Sequence, residues 1–324
     1  QIEALNRMQS TRVYKFLIGF NKILFKPLVG ALRFFAAKFQ QVFWVLTGKR
    51  KHPLLSLSGC LYRRWIKKNT PTEQDSDALK KESRLWPYLP VISIVMPVYN
   101  TKSQWLEEAI ASVKNQVYEK WELCLVNDGS SEKHVQEILD REKNRDPRIK
   151  VKHLPRNRGI ALASNQALAM AAGEFIAFMD SDDVLHPMAL FEAAKFLNRH
   201  PDADLIFTDE DKLTMQGVRE KPVFKAGWSP DLFLTYNYIN HLTLCRKKLV
   251  DEAGGFRPEY TWSQDYDLYL RITEKTGKIF HIPGVLYHWR AVPGSSVRVS
   301  RARRRARRRK PSLRDRRPCA AKTR

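Results

Sequence analysis

Three carboxylates stand within four positions, Asp180, Asp182 and Asp183, directly behind the apolar run of "FIAFMDSDDVLHP". Like charges that close repel, and burial raises the cost of ionising them further. A hard divalent cation with oxygen ligands, Mg²⁺ or Mn²⁺, would relieve the conflict, and such a cation keeps open positions that bridge phosphate oxygens. The plainer alternative is a solvated acidic turn, with Asp183 capping the helix that follows. The strand in front of the cluster, and the other polar groups that gather near it, favour the cation.

Other residues carry the same kind of choice. "TDEDK" supplies a second cluster, Asp209, Glu210 and Asp211, which either lines a donor sugar or faces solvent. Asp128, in the Asn-Asp-Gly turn of "LVNDGSS", either bonds its own backbone or accepts hydrogen bonds from a nucleobase or ribose. In "NRGIA", Arg158 and Gly159 precede a helix start, where dipole, free N–H groups and guanidinium suit phosphate; the alternative is a plain helix start with a surface arginine. Asp265, in "WSQDYDLYLR", is either an N-cap or a general base for an acceptor hydroxyl, whereas Asp267, two positions on, faces elsewhere. Trp262 and Tyr266 either offer a sugar ring a flat apolar surface or belong to the core. His288 in "YHWR" is either a metal or pyrophosphate contact or structural.

Elements that could gather these residues alternate from Val91 onward. "VISIVMPVYN", "LCLV", "RIKVKHL", "EFIAFM" and "ADLIFTDEDKL" read as five strands. Between them "SQWLEEAIASVKNQ", residues 132–145, "RGIALASNQALAMAAG" and "HPMALFEAAKFLNRHP" read as helices, the first with Leu106, Ile110 and Val113 on one face. Such alternation predicts an α/β fold with a mostly parallel central sheet and helices on both faces. Ligands of such sheets bind beyond the carboxyl ends of the strands. There stand Tyr99, Asn100, Asp128, Arg156, Arg158, Asp180–Asp183 and Asp209–Asp211, so distant parts of the chain are expected to converge on one crevice.

The net charge of +23 is unevenly placed: residues 1–90 carry 17 Lys and Arg against 5 acidic residues, residues 297–324 carry 14 against 1, and residues 91–296 are close to neutral. The three spans read as a basic amphipathic N-terminal region with linker, a near-neutral globular part at 91–296, and an Arg-rich tail. Residues 11–48 are rich in apolar and aromatic side chains but broken by Lys15, Lys22, Lys26, Arg33 and Lys38, so no charge-free run reaches the ~18–20 residues of a spanning helix. They suit an anionic membrane surface, with packing on the domain or a partner as the alternative. Residues 69–84 read as a polar linker. The tail cannot fold alone; an out-of-frame translation of a GC-rich gene accounts for it better than a phosphate- or nucleic-acid-binding arm. The four cysteines show no metal-ligand spacing, which suits a reducing cytosol.

Taken in order, "SIVMPVYN", "LVNDGSS", "NRGIALASNQAL", "FMDSDD", "TDEDK", "GGFRPEYTWSQDYDLYLR" and "YHWR" resemble the family 2 glycosyltransferases, above all the bacterial branch that builds rhamnan, O-antigen and other cell-surface polysaccharides. The resemblance covers residues 91–296. It implies a GT-A fold, an inverting transfer from a nucleotide-diphospho-sugar (UDP- or dTDP-linked) to a glycan or lipid-linked glycan, and an Mn²⁺ or Mg²⁺ cofactor. By position it implies that Pro97, Tyr99, Asp128, Arg158 and Asp180 serve the nucleotide, that Asp180, Asp182 and His288 serve the metal, and that Asp265 is the base. Asp209, Glu210, Asp211, Trp262 and Gln264 are then candidates for sugar contacts. Gln264 stands where the family often has Glu. A cytoplasmic protein, peripheral on the inner membrane, is expected, with nucleic acid not expected as a partner. A nucleotidyltransferase would want a Gly-rich basic loop after the first strand, which "PVYNTKSQ" lacks. An inactive remnant binding only membrane or nucleic acid is the other rival.

Overall fold

The computed structural model describes residues 53–291 of the chain, so the basic segment 11–48 and the tail 297–324 lie outside the described residues. The chain divides into two units, 1–64 and 65–324. Helix α1 (Pro53–Asn69) is followed by α2 (Glu73–Arg84). The expected linker at 69–84 is therefore mostly helix. Its first turn is closed by a reciprocal cap, the Thr72 N–H donating to Asp75 at 2.9 Å and the Asp75 N–H to the Thr72 hydroxyl at 3.2 Å. This helix is polar nearly all round, so it shows no apolar period; Leu79 alone carries it onto the core, followed by Trp86, Tyr88 and Leu89 of the next segment.

The five expected strands form: β1 (Ile92–Val98), β2 (Trp121–Asn127), β3 (Ile149–His153), β4 (Phe175–Phe178) and β6 (Leu205–Leu213). Four more complete a nine-stranded sheet: β5 (Val184–Leu185), β7 (Arg219–Val223), β8 (Thr243–Arg246) and β9 (Ile279–Arg290). The order is β3-β2-β1-β4-β8-β6-β9-β5, with β7 on β6. Strands β3, β2, β1 and β4 pair in parallel. Strand β8 then inserts antiparallel to both β4 and β6, and β9 lies parallel to β6. The sheet is thus mixed. All five expected strands still run in one direction, because β8 reverses twice over between β4 and β6.

Alternation along the strands divides two cores. Ile92, Ile94, Met96, Leu123, Leu125, Phe175 and Ala177 face α3 (Ser103–Lys114), α4 (Lys133–Arg145) and α6 (Ala189–Arg199). Val95, Cys124, Val126, Ile176 and Phe178 face α5 (Ile160–Met170), α8 (Lys247–Glu252) and α9 (Gln264–Thr273). Leu106, Ile110 and Val113 of α3 are all essentially inaccessible, as their spacing predicts. Each such side chain contributes about 1.5–3 kcal/mol of burial. Among the described residues no helix is long and apolar enough to cross a membrane.

Candidate active site

The carboxyl ends of β1, β2, β4 and β6 share one edge with the residues that enter β8 and those that finish β9. Loops at this edge are tied to one another. After β1, Asn100 takes a positive φ of 48°, and its side-chain oxygen accepts the Ser131 N–H at 2.9 Å. Thr101 bonds the hydroxyl of Ser181, between the two candidate metal acids, at 2.6 Å. Pro97 is half-buried within β1, and Tyr99 is exposed just past it.

Asp128 bonds a distant loop rather than its own turn. It is 2% exposed, and its two oxygens accept the backbone N–H groups of Arg158 and Gly159 at 2.8 and 2.9 Å. Those amides, the second of which belongs to the N-cap of α5, are therefore not free for phosphate. The Arg158 side chain itself is exposed. The contact is close because Gly129 has φ +63° and an added Cβ would lie 2.3 Å from the Arg156 carbonyl carbon.

The opening acids divide by environment. Asp183 is fully buried, accepting the Tyr287 hydroxyl and the Arg290 N–H at 2.6 Å each. It is neither solvated nor a helix cap; it fastens the end of β9. The same Tyr287 hydroxyl accepts the Asp180 N–H at 3.2 Å. Among the described residues no partner donates to the Asp180 carboxylate, whose side chain keeps 44% of its surface exposed. Burial, then Asp182 and then Asp265, push its pKa up to about 7. Asp182 is likewise raised by burial, with Arg290 opposing. Asp180 is thus within electrostatic reach of both Asp182 and Asp265, although Asp265 is distant in sequence.

Asp265 is in the first turn of α9, behind Ser263, which takes the capping position instead. Its Oδ1 accepts the Tyr266 N–H at 2.8 Å. Its Oδ2 accepts the side-chain amides of Asn237, at 3.2 Å, and Asn240. Burial raises its pKa and these donors restrain the rise. Asp267 points away and pairs with Arg257 and Arg271. Trp262 is 79% exposed at the helix entrance, whereas Tyr266 packs on Phe233 and donates to its carbonyl, so it is core rather than a sugar platform. Gln264 is half-buried, and its Oε1 is enclosed with no partner.

Asp209, Glu210 and Asp211 neither face solvent nor offer a sugar a free carboxylate. Asp209 accepts from the Lys225 N–H and faces the His281 ring, both at 2.8 Å. Glu210 pairs with Lys212 at 3.0 Å and accepts the His241 N–H at 2.7 Å. Asp211 pairs with Arg219 and His288, both at 2.7 Å. His288 is committed to that ion-pair cluster and packs against His186, away from the metal acids. Strand alternation turns it opposite to Tyr287. The histidine that approaches Asp180 is His241, with Nε2 at 4.0 Å from Oδ2. Asn237, Asn240, His241 and Tyr287 are the site residues that sequence reasoning missed. The first three precede an antiparallel strand, and residues before such a strand lie at the edge where residues after parallel strands lie.

Among the described residues no group of three or more His, Cys, Asp or Glu side chains forms a ready-made metal cage. Asp180 and Asp182 nonetheless fit a cation of the Mg²⁺ or Mn²⁺ kind. They are hard oxygen donors with open lone pairs, and such ions take one or two carboxylates and fill the rest with water and phosphate.

The sequence profile described as glycosyl transferase family 2 matches residues 93–254. The O-antigen biosynthesis protein RfbC of Myxococcus xanthus is 36% identical over 258 residues, covering 79% of this chain and 20% of RfbC. An uncharacterized protein, y4gI, of Sinorhizobium fredii is 43% identical over 216 residues, 66% of this chain and 24% of that protein. The chain therefore spans about a quarter or less of the length of these relatives. The structure of S. aureus TarS in complex with UDP-GlcNAc superimposes with a TM-score of 0.54 at 24% identity, over 63% of this chain and 59% of that one. That likeness is one of fold, and the fold is the GT-A fold. The profile spans half of the chain, across the strands that carry Asp128, Asp180 and Asp182, and so the chain belongs to glycosyl transferase family 2.

Proposed function

We propose that this chain transfers a sugar, with inversion, from a nucleotide-diphospho-sugar to a hydroxyl of a cell-surface glycan. The observation that carries the reading is one segment that joins two acids: Asn237 and Asn240 orient Asp265, and the neighbouring His241 stands 4.0 Å from Asp180, whose carboxylate receives no bond from another described residue. RfbC is named for O-antigen biosynthesis and TarS was crystallised with UDP-GlcNAc, which supports the donor class and the polysaccharide context.

Asp180 and Asp182 would hold the divalent cation, Mn²⁺ or Mg²⁺. When bound, it supplies positive charge against the negative charge that develops on the leaving diphosphate. Asp265 accepts the proton of the acceptor hydroxyl as that oxygen bonds to C1 and the C1–O bond to the diphosphate breaks. Its raised pKa strengthens it as a base. One displacement with one base leaves the anomeric carbon inverted, with no covalent sugar intermediate. In this reading Pro97 and Tyr99 serve the nucleotide, with Asp128 holding the loop that carries Arg158. Trp262 and Gln264, close to the base in the chain, serve the sugar. The exposed Arg63, Arg64, Lys67 and Lys68 of α1 support a peripheral position on the anionic cytoplasmic face of the inner membrane.

The test measures release of nucleoside diphosphate from UDP- and dTDP-sugars with Mn²⁺ by the full chain. Asp265→Asn should lose turnover by at least about 10²-fold and keep its affinity for the nucleoside diphosphate. Wild-type turnover in that variant rejects Asp265 as the base.

A further inference from the structure

Residues Asn237–His241, just ahead of β8, touch both halves of the proposed chemistry. Asn237 and Asn240 hold Asp265, while the His241 ring stands over Asp180. The ring is firmly placed. It stacks on Tyr287 at a centroid distance of 4.8 Å and 21° between planes, and meets the Trp289 edge at 5.6 Å. Its backbone N–H is anchored on Glu210 at 2.7 Å. Tyr287 in turn bonds the Asp180 N–H, so ring and carboxylate share one support.

The two nitrogens of His241 differ. Nδ1 is enclosed and has no partner among the described residues. An enclosed lone pair is cheaper than an enclosed N–H, so the proton belongs on Nε2, which looks into the crevice. At 4.0 Å, Asp180 is too far to accept that proton. A donor held this rigidly beside the cation-binding acids, with no acceptor of its own, suits an oxygen that arrives with the ligand. A phosphoryl oxygen is that oxygen, because the diphosphate must lie where the cation lies.

Resting on the nucleotide-sugar reading, we propose that His241 donates its Nε2–H to the distal phosphate of the donor's diphosphate. The role expected of His288 at the pyrophosphate thereby passes to His241. Because Asn240 is its neighbour in the chain, filling the diphosphate site also sets the loop that holds Asp265.

The test is calorimetric titration of the full chain with UDP and UMP in Mn²⁺, repeated with dTDP and dTMP. His241→Phe keeps a ring on Tyr287 but has no N–H; His241→Gln keeps a donor without the ring. The Phe variant should lose about tenfold or more in affinity for the diphosphate and little for the monophosphate, and the Gln variant should recover much of that loss. Equal thermal unfolding of wild type and His241→Phe checks that the support is intact. Diphosphate affinity within twofold of wild type in the Phe variant overturns the proposal, as does equal loss for diphosphate and monophosphate. A wild type that binds no nucleoside diphosphate at all overturns the nucleotide-sugar reading itself, and this proposal with it.

Discussion

Replacing Asp128 by Asn separates a carboxylate that builds the site from one kept free for a ligand. Both Asp128 oxygens receive backbone N–H groups, from Arg158 at 2.8 Å and Gly159 at 2.9 Å, at a position 2% exposed. A hydrogen bond to a charged group contributes about 1.5–3 kcal/mol. In the Asn variant one oxygen still accepts, without its charge. The other becomes an NH₂ that faces an N–H, so one bond is lost and one weakened. The loop has little room to retreat, since Gly129 already lies against the Arg156 backbone. We expect a loss of about 2–3 kcal/mol, or a fall in Tm of about 5–10 °C for a domain this size. The assay is urea unfolding of the ligand-free protein, with the midpoint shifting at constant slope. A carboxylate reserved for a nucleobase would instead leave the ligand-free protein unchanged or steadier. A variant within about 0.5 kcal/mol of wild type, near the ordinary noise of surface substitutions, refutes the clamp.

Thr101→Val removes the hydroxyl that pairs with Ser181 at 2.6 Å and leaves a buried Ser181 hydroxyl unmatched. It should cost about 1–3 kcal/mol in thermal unfolding, and the double variant with Ser181→Ala should cost less than the two single variants combined. His186 gives a pH dependence. Burial first, then His288 and Arg219, lower its pKa from 6.5 to about 3, against the pull of Asp211. The folded form therefore binds fewer protons than the unfolded chain, so its stability is intact above pH 6.5 and falls as pH drops toward 3. At 1.36 kcal/mol per pH unit, about 2–3 kcal/mol is gone by pH 4.5. His186→Gln should show a shallower loss between pH 6.5 and 4.5 in parallel urea titrations; identical slopes would remove His186 as the source.

The central strands were legible because burial on both faces leaves nearly unbroken apolar runs, as in "ISIVMPV" and "FIAF". Strand β8, with only "TLCR", is too short to show a pattern, and β9 carries Pro283 and Gly284 at its irregular register with β6. Missing β8 hid the residues before it. A reading that follows parallel strands collects what comes after each one, and His241 comes before an antiparallel one. The polar helix Glu73–Arg84 was illegible by period but carried a signal in Thr72 and Asp75, three apart, which is the spacing of a reciprocal cap.

What the sequence could not separate is which of its many acids work on a ligand, and partner accounting does that. Buried polar groups in a folded protein are matched almost without exception. Asp128, Asp183, Asp209, Glu210 and Asp211 all have protein donors, and each joins two segments distant in the chain. Asp180 and Asp182 are pressed by burial yet receive no bond from another described residue on their carboxylates, and burial raises the pKa of both. Asp265 lies between the two classes, since amides orient it but leave it a proton affinity above that of an ordinary carboxylate. Acids with protein donors on both oxygens are fixed in place by the fold. Acids without them keep their lone pairs open to water, a cation or a proton. The identical side chains of "DSDD" therefore divide by their partners: Asp183 is bonded into the fold, whereas the Asp180 and Asp182 carboxylates receive no bond from another described residue, as the proposed cation site requires.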